Sequence, residues 1–211
     1  MNHFEKRIGK DDPHEKWHFD QIIGYLEHFK NKKILDVGCG RGLLVKKLNE
    51  RNTVTGMDLL KDNPHKIKKI ISNASKKFPF KNQEFDVIIC SHYLEHSSDP
   101  DTSLKEIKRV LKDNGTAFLI VPNEYTWRQK INFLFGNQLP SHKIEEFGHK
   151  CIPTEKEWSM FMQKYFKKIN ETIIPNTHSE GLLWKLSRIF GNKQDNADGF
   201  LFECKKNVSE V

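Results

Sequence analysis

No apolar run in the chain approaches the roughly 20 residues that a membrane span requires, and the polar start "MNHFEKRIGKDD" lacks the apolar core of a secretory signal. These two absences make the cytoplasm the expected address. Cysteine is sparse: Cys39, Cys90, Cys151 and Cys204 stand far apart, with no CxxC and no Cys/His pair at zinc spacing. Neither a disulfide scaffold nor a structural metal is indicated, and no clustered carboxylates point to another ion, so no metal is expected. Internal repeats, low-complexity tracts and linkers rich in Pro, Gly or Ser are also missing. The 211 residues therefore read as one α/β domain with modest insertions. The formal charge of +7 is scattered in pairs such as Lys46-Lys47, Lys68-Lys69 and Lys167-Lys168, which makes nucleic acid an unexpected partner.

What is present is an alternation of periods. Phe19, Ile22, Ile23, Leu26 and Phe29 recur at helical spacing across His14 to Lys30 and predict a leading amphipathic helix. "KKILDVG" then reads as a buried strand, "RGLLVKKLNER" as a helix and "NTVTGMD" as a second strand ending on an acid. "KIIS" is a short third strand, and the continuous apolar "FDVIICS" a fourth, covered on both faces. Asp99 or Asp101 caps a helix with the stripe Leu104, Ile107, Val110 and Leu111, expected to run until Gly115 stops it; "TAFLIVP" is the fifth strand. Further on, "TEKEWSMFMQKYF" opens with a Thr154/Glu157 capping box, "KKINETII" and "GFLFECKK" are strands, and "GLLWKLSRIFG" a helical connection. Alternating strands and helices imply parallel strands in an open, doubly wound sheet that binds ligands at the carboxyl ends of its strands. The places to look are after Val37, near Asp58, near Asn73, and from Ser91 to His96.

The loop after the first strand holds Gly38, Gly40 and Gly42, which permit a tight turn and close approach of a nucleotide-like ligand to the backbone. The dinucleotide fingerprint wants its third glycine one residue later, where Leu43 stands. Asp36 precedes the loop; its carboxylate would repel a pyrophosphate and suits a ligand carrying an ammonium and a sulfonium, as S-adenosylmethionine does. Asp58 is placed to accept hydrogen bonds from two ribose hydroxyls.

"ILDVGCGRG" resembles motif I of the class I S-adenosylmethionine-dependent methyltransferases. "VTGMDLL" resembles the family's ribose-binding segment, "NASKKFPFKNQEFDVIICSHYLEH" the run with the adenine site and fourth strand, and "LKEIKRVLKDNGTAFLIVPN" the next helix and strand. The match runs from Lys32 to Asn123. It implies a Rossmann-like, doubly wound seven-stranded sheet, mostly parallel, with "GFLFECKK" as a last strand inserted antiparallel beside the fifth. The divisions expected are an N-terminal helix or lid (1–31), a cofactor core (32–122), an acceptor-side insertion (123–154) and the rest of the sheet (155–211). The resemblance implies that Asp36, Gly38, Cys39 and Gly40 surround the methionine end, and that Asp58 and Leu59 hold ribose and adenine. Asn73, with Ala74 after it, stands where many relatives have an aspartate for the adenine amino group. Ser91 and His92 match positions facing the cofactor, whose product would be S-adenosylhomocysteine.

In "SHYLEHSSDP", His92, Glu95 and His96 are the candidate catalytic residues, with Tyr93 beside them, because histidine is the natural base near neutral pH. His142 and His149 are further candidates, and Trp17, His18, Tyr125, Trp127 and Phe135 are candidate walls of the acceptor pocket. No Asn-Pro-Pro-Tyr or Asp-Pro-Pro-Tyr follows the fourth strand, which argues against methylation of exocyclic base nitrogens. A looser similarity, carried by Pro122, Asn123, Trp127, Arg128, Phe135, Gly136, His149 and Thr154, is to MetW-type and polysaccharide-biosynthesis methyltransferases. It implies a small-molecule, sugar or lipid-linked acceptor, and also admits a non-catalytic cofactor-binding partner subunit. RNA methylation is the alternative that the basic charge suggests. "WRQKINFLFG" and "LLWKLSRIFG" pair aromatics with Arg and Lys, compatible with weak contact to a membrane surface.

Overall fold

The computed structural model describes residues 13–136, 149–175 and 196–206. The chain runs α1 (Pro13–Leu26), β1 (Lys33–Val37), α2 (Leu43–Leu48), β2 (Thr53–Asp58), β3 (Lys69–Ile71) and β4 (Phe85–Ser91). After a 3-10 turn at Leu94–His96 come α3 (Pro100–Val110), β5 (Leu111–Pro122), α4 (Trp127–Leu134), α5 (Glu155–Gln163), β6 (Phe166–Pro175) and β7 (Ala197–Lys206). Seven strands form one sheet in the order β3-β2-β1-β4-β5-β7-β6. The first five are parallel, and β7 lies antiparallel between β5 and β6. This is the mixed, mostly parallel sheet that the residue pattern and the resemblance imply. The helical reading of "GLLWKLSRIFG" and the residue His142 lie outside the described residues.

Period-two alternation along the strands sorts apolar side chains onto two faces. Leu35, Val37, Ala117, Leu119 and Val121 join Leu104, Ile107 and Val110 of α3 and Trp158 and Met162 of α5. Ile34, Phe118 and Ile120 face the other way, against Ile22 and Leu26 of α1 and Leu44, Val45 and Leu48 of α2. Each such Leu, Ile or Val contributes about 1.5–3 kcal/mol by leaving water. Asp99 caps α3 by accepting from Thr102 N at 2.9 Å. The helix stops at Val110, not at Gly115: Leu111 bonds back to Ile107 O, turns extended and pairs with Phe85 as β5 begins. Gly115 instead allows a close pass, since a Cβ there would sit 2.9 Å from Asp86 O. Thr154 and Glu157 form the expected capping box of α5, and Thr126 and Gln129 make a second one on α4.

Because β1, β2, β4 and β5 are parallel, their carboxyl ends share one edge. The glycine loop, the Asp58 turn, the Ser91–His96 turn and the segment after Pro122 are gathered there, although 85 residues of chain separate Val37 from Pro122.

Candidate functional site

One half of this edge is made of backbone and two carboxylates. Gly38 and Gly42 adopt φ of 74° and 88°, a region that side-chain-bearing residues avoid. Neither has room for a side chain either: a Cβ on Gly38 would lie 2.7 Å from Tyr93 Cβ, and one on Gly42 2.2 Å from Ile67 Cδ1. Asp36, on a central strand and 3% exposed, has its carboxyl pushed up to about 8, first by burial and then by the neighbouring Asp58. Asp58 Oδ2 accepts from Gly40 N at 2.8 Å and its Oδ1 from Leu60 N at 2.7 Å, so this acid holds the glycine loop in shape. Lys69 Nζ donates to Gly40 O at 2.5 Å and to Asp62 O at 2.9 Å, closing the loop from the β3 side.

The remaining cofactor candidates take varied places. The Cys39 side chain turns into the core beside Gly56, leaving only its backbone along the loop. Burial, with Asp36 next, pushes the Cys39 thiol far up, so it is no nucleophile. Leu59 is 61% exposed at the end of β2, an apolar side chain that a planar ring would cover. Asn73 Oδ1 accepts from Ser75 N at 2.8 Å, so the side chain shapes its own turn, while buried Ala74 gives its carbonyl to Ser103 Oγ. Sequence reasoning missed a hydroxyl chain here: Tyr93 Oη, Ser75 Oγ, Ser97 Oγ and Ser103 Oγ are linked at 3.0, 2.9 and 3.1 Å. It ties Tyr93, the residue packed on Gly38, to the start of α3. Ser91 Oγ, at the end of β4, is buried without a hydrogen-bond partner among the described residues.

The other half of the edge is made of imidazoles and carboxylates. His92 takes a left-handed φ of 49°, held by its N–H donating to Ile120 O at 3.0 Å. This conformation costs of the order of 1–3 kcal/mol in a residue with a side chain. It aims Nδ1 at Glu95 Oε1, 3.3 Å away. Glu95 is 1% exposed; burial would raise its carboxyl, but His92 and then His96 outweigh that and hold it below the usual range. The segment after 148 docks on the same turn: Lys150 N and Cys151 N donate to Glu95 O at 2.7 and 3.3 Å, and Tyr125 Oη to Ile152 O at 2.9 Å. That brings the His149 ring to 4.7 Å from the His96 ring. His149 Nδ1 lies 2.9 Å from Glu124 Oε1, and Gln129 Nε2 donates to Glu124 Oε2 at 3.2 Å.

Thus Asp36, the glycines and Asp58 come together, and so do His92, Glu95, His96 and His149. Glu124, buried at 8% exposure, escaped sequence reasoning; its only signal was an acid two residues beyond the fifth strand. Of the wall candidates, Tyr125 and Trp127 are half-buried near this half of the edge, and Phe135 is 81% exposed at the end of α4. Phe133 and Leu134 before it are likewise exposed, at 62% and 81%. The side chains of Trp17, His18 and Arg128 lie outside the described set. Among the described residues, no helix is long and apolar enough to cross a membrane.

A model of the methyltransferase domain matches residues 17–171. An uncharacterized protein of Methanocaldococcus jannaschii is 32% identical over 190 residues, which cover 83% of this chain and 81% of that protein. A ubiquinone biosynthesis O-methyltransferase of Pelagibacter ubique is 34% identical over 105 residues, 45% of this chain and 44% of that enzyme. The alignment therefore spans under half the length of that enzyme. In structure, a SAM-dependent methyltransferase of Archaeoglobus fulgidus superposes with a TM-score of 0.66 at 17% identity, covering 90% of this chain and 94% of that one. The N-methyltransferase NodS of Bradyrhizobium japonicum, solved with S-adenosyl-l-homocysteine, gives 0.66 at 13% identity, covering 98% and 100%. At these identities the two structures speak for the fold.

Proposed function

Since the chain belongs to the methyltransferase-domain family, with a class I Rossmann-like fold and S-adenosylmethionine as methyl donor, we propose that its acceptor is a hydroxyl of a small molecule or glycan. The carrying observation is the His92–Glu95 pair at the mouth of the same edge that holds the glycine loop. A hydroxyl must lose its proton as it attacks, and so needs a base that a pre-formed lone pair on nitrogen does not. The similarity to an enzyme named as an O-methyltransferase supports the same reading.

The residues fit the donor chemically. Gly38 and Gly42 leave a cradle with no room for a Cβ, and buried Asp36 offers a negative charge that a cation would stabilise. Leu59 would cover the adenine ring, and Asp58 would hold the ribose. Bound there, the donor supplies a methyl group on a positively charged sulfur. Glu95 holds His92 with Nδ1 turned toward it, so Nε2 is the nitrogen that takes the acceptor proton. The packed turn and the segment from His149 to Ile152 position the acceptor and exclude water.

Calorimetric titration with S-adenosylmethionine, with NAD as control, tests the first half. Saturable binding of the former alone is expected, and binding of neither overturns the reading. Methyl-labelled donor offered to panels of phenols, sugars, amines and RNA tests the second half: label on a hydroxyl is expected, and label on nitrogen or RNA alone refutes the proposed acceptor.

A further inference from the structure

Glu95, His96 and His149 each bring one ligand-type atom to within 4.8 Å of the others. Two are neighbours in the chain; the third arrives from 53 positions away because Lys150 N and Cys151 N are hydrogen-bonded to Glu95 O. Three donors bound to a single ion at about 2.1 Å stand at most about 4.2 Å apart, so a small side-chain rotation closes the set.

A second observation points to a ligand. Both Glu95 carboxylate oxygens are buried, and Oε2 has no hydrogen-bond partner among the described residues. His92 Nδ1 stands 3.3 Å from the other oxygen, Oε1. An anion with so few donors in the interior is costly unless a positive charge meets it. The surroundings of His149 also fit a metal ligand: Glu124 Oε1 lies 2.9 Å from Nδ1, at ion-pair distance, where a carboxylate beside an imidazole can steady the ring. Gln129 in turn holds the second oxygen of Glu124.

We infer that Glu95, His96 and His149 form a binding site for one divalent transition-metal ion of the zinc class, with Glu124 as the residue that positions His149. Two imidazoles and one carboxylate suit zinc, cobalt, iron or manganese better than magnesium or calcium, which prefer oxygen alone. Three protein ligands leave coordination positions open. An acceptor hydroxyl would fill one and become more acidic there; that role, unlike the site itself, rests on the methyl-transfer reading.

The test uses the full chain, stripped with chelator and titrated with Zn2+ by calorimetry and with Co2+ by visible absorption. One equivalent of Zn2+ and a cobalt d–d band are expected. His149→Ala and Glu95→Gln should weaken Zn2+ binding at least 100-fold, Glu124→Gln about 10- to 100-fold, and His28→Ala, on the exposed surface away from the cluster, should change nothing. Circular dichroism on each variant separates loss of the site from loss of the fold, and the near-isosteric Glu95→Gln carries the result if His149→Ala does not fold. Absence of a stoichiometric site in the wild type, or equal affinity in Glu95→Gln and Glu124→Gln, overturns the inference. S-adenosylmethionine is titrated into the same stripped samples: its binding without any metal site sinks this inference and leaves the methyl-transfer reading standing.

Discussion

Across the carboxyl edge of the sheet, the loops after β1 and β2 present strained glycines and two acids, whereas those after β4 and β5 present three imidazoles and two acids. The first half is assembled from residues 36 to 69, and its key contacts are made to backbone: Asp58 to Gly40 N, Lys69 to Gly40 O. The second half joins the Ser91–His96 turn to Glu124 and to His149, and its contacts run between side chains or from a distant segment onto Glu95 O. On the proposed reading, recognition of a common cofactor would rely on backbone shape, which tolerates little change, and recognition of a particular acceptor on side chains, which can be exchanged on the same frame.

The contrast is broken most severely at Gly38. Alanine there meets Tyr93 at 2.7 Å at a φ of 74°, costing about 1–2 kcal/mol for the backbone and about 1–3 for overpacking. Urea unfolding should report a loss of roughly 2–5 kcal/mol, together with loss of cofactor binding. A wild-type-like midpoint would mean the loop is not built this way.

His92→Asn keeps a residue that tolerates a positive φ and removes the base. We expect kcat to fall about 100-fold while cofactor affinity stays within about threefold, as isothermal titration would show. Equal losses in both would erase the division between the halves.

Asp36→Asn should weaken cofactor binding about tenfold at pH 8, by removing one charge-assisted contact. The wild type should also show a pH dependence that the variant lacks. Asp36 is held up to about 8, so below that pH the free site is protonated and a cationic ligand must expel the proton. Apparent affinity should then rise up to about tenfold per pH unit between roughly 6 and 8 and flatten above. The unliganded fold has the opposite slope: a carboxyl with a raised folded pKa binds more protons folded than unfolded, so its contribution to stability declines as pH rises from about 4 toward 8.

The smallest effect lies outside both halves. Thr154→Ala removes the hydroxyl that accepts from Glu157 N at the start of α5 and should cost about 1 kcal/mol. Thermal melts should show that loss with little change in cofactor affinity, since α5 packs under the sheet and not on the glycine loop.

Much of the glycine-loop half was legible because its constraints are local. Glycines demanded by positive φ, an acid at the end of each strand and a period-two apolar run all act within about ten residues. The details that escaped are those in which polar atoms choose among partners. Asn73 spends its oxygen on Ser75, Cys39 turns inward because Gly56 opens space for its sulfur, and Gly115 serves a close pass and not a helix stop. Phe135 illustrates a related ambiguity: an aromatic after an amphipathic stretch reads the same whether it packs or stays in solvent, and here it is exposed.

By itself the sequence determined the alternation of strands and helices, and the carboxyl edge as the place where the glycine loop, Asp36 and Asp58 gather. Backbone sterics and side-chain periodicity act over short distances and leave their mark on adjacent residues. Only the tertiary structure decided that Glu124 would meet His149 and that His149 would stand against Glu95 and His96. Those contacts close chain separations of 25 and 53 residues, and they depend on how two loops dock on the edge after the sheet has formed.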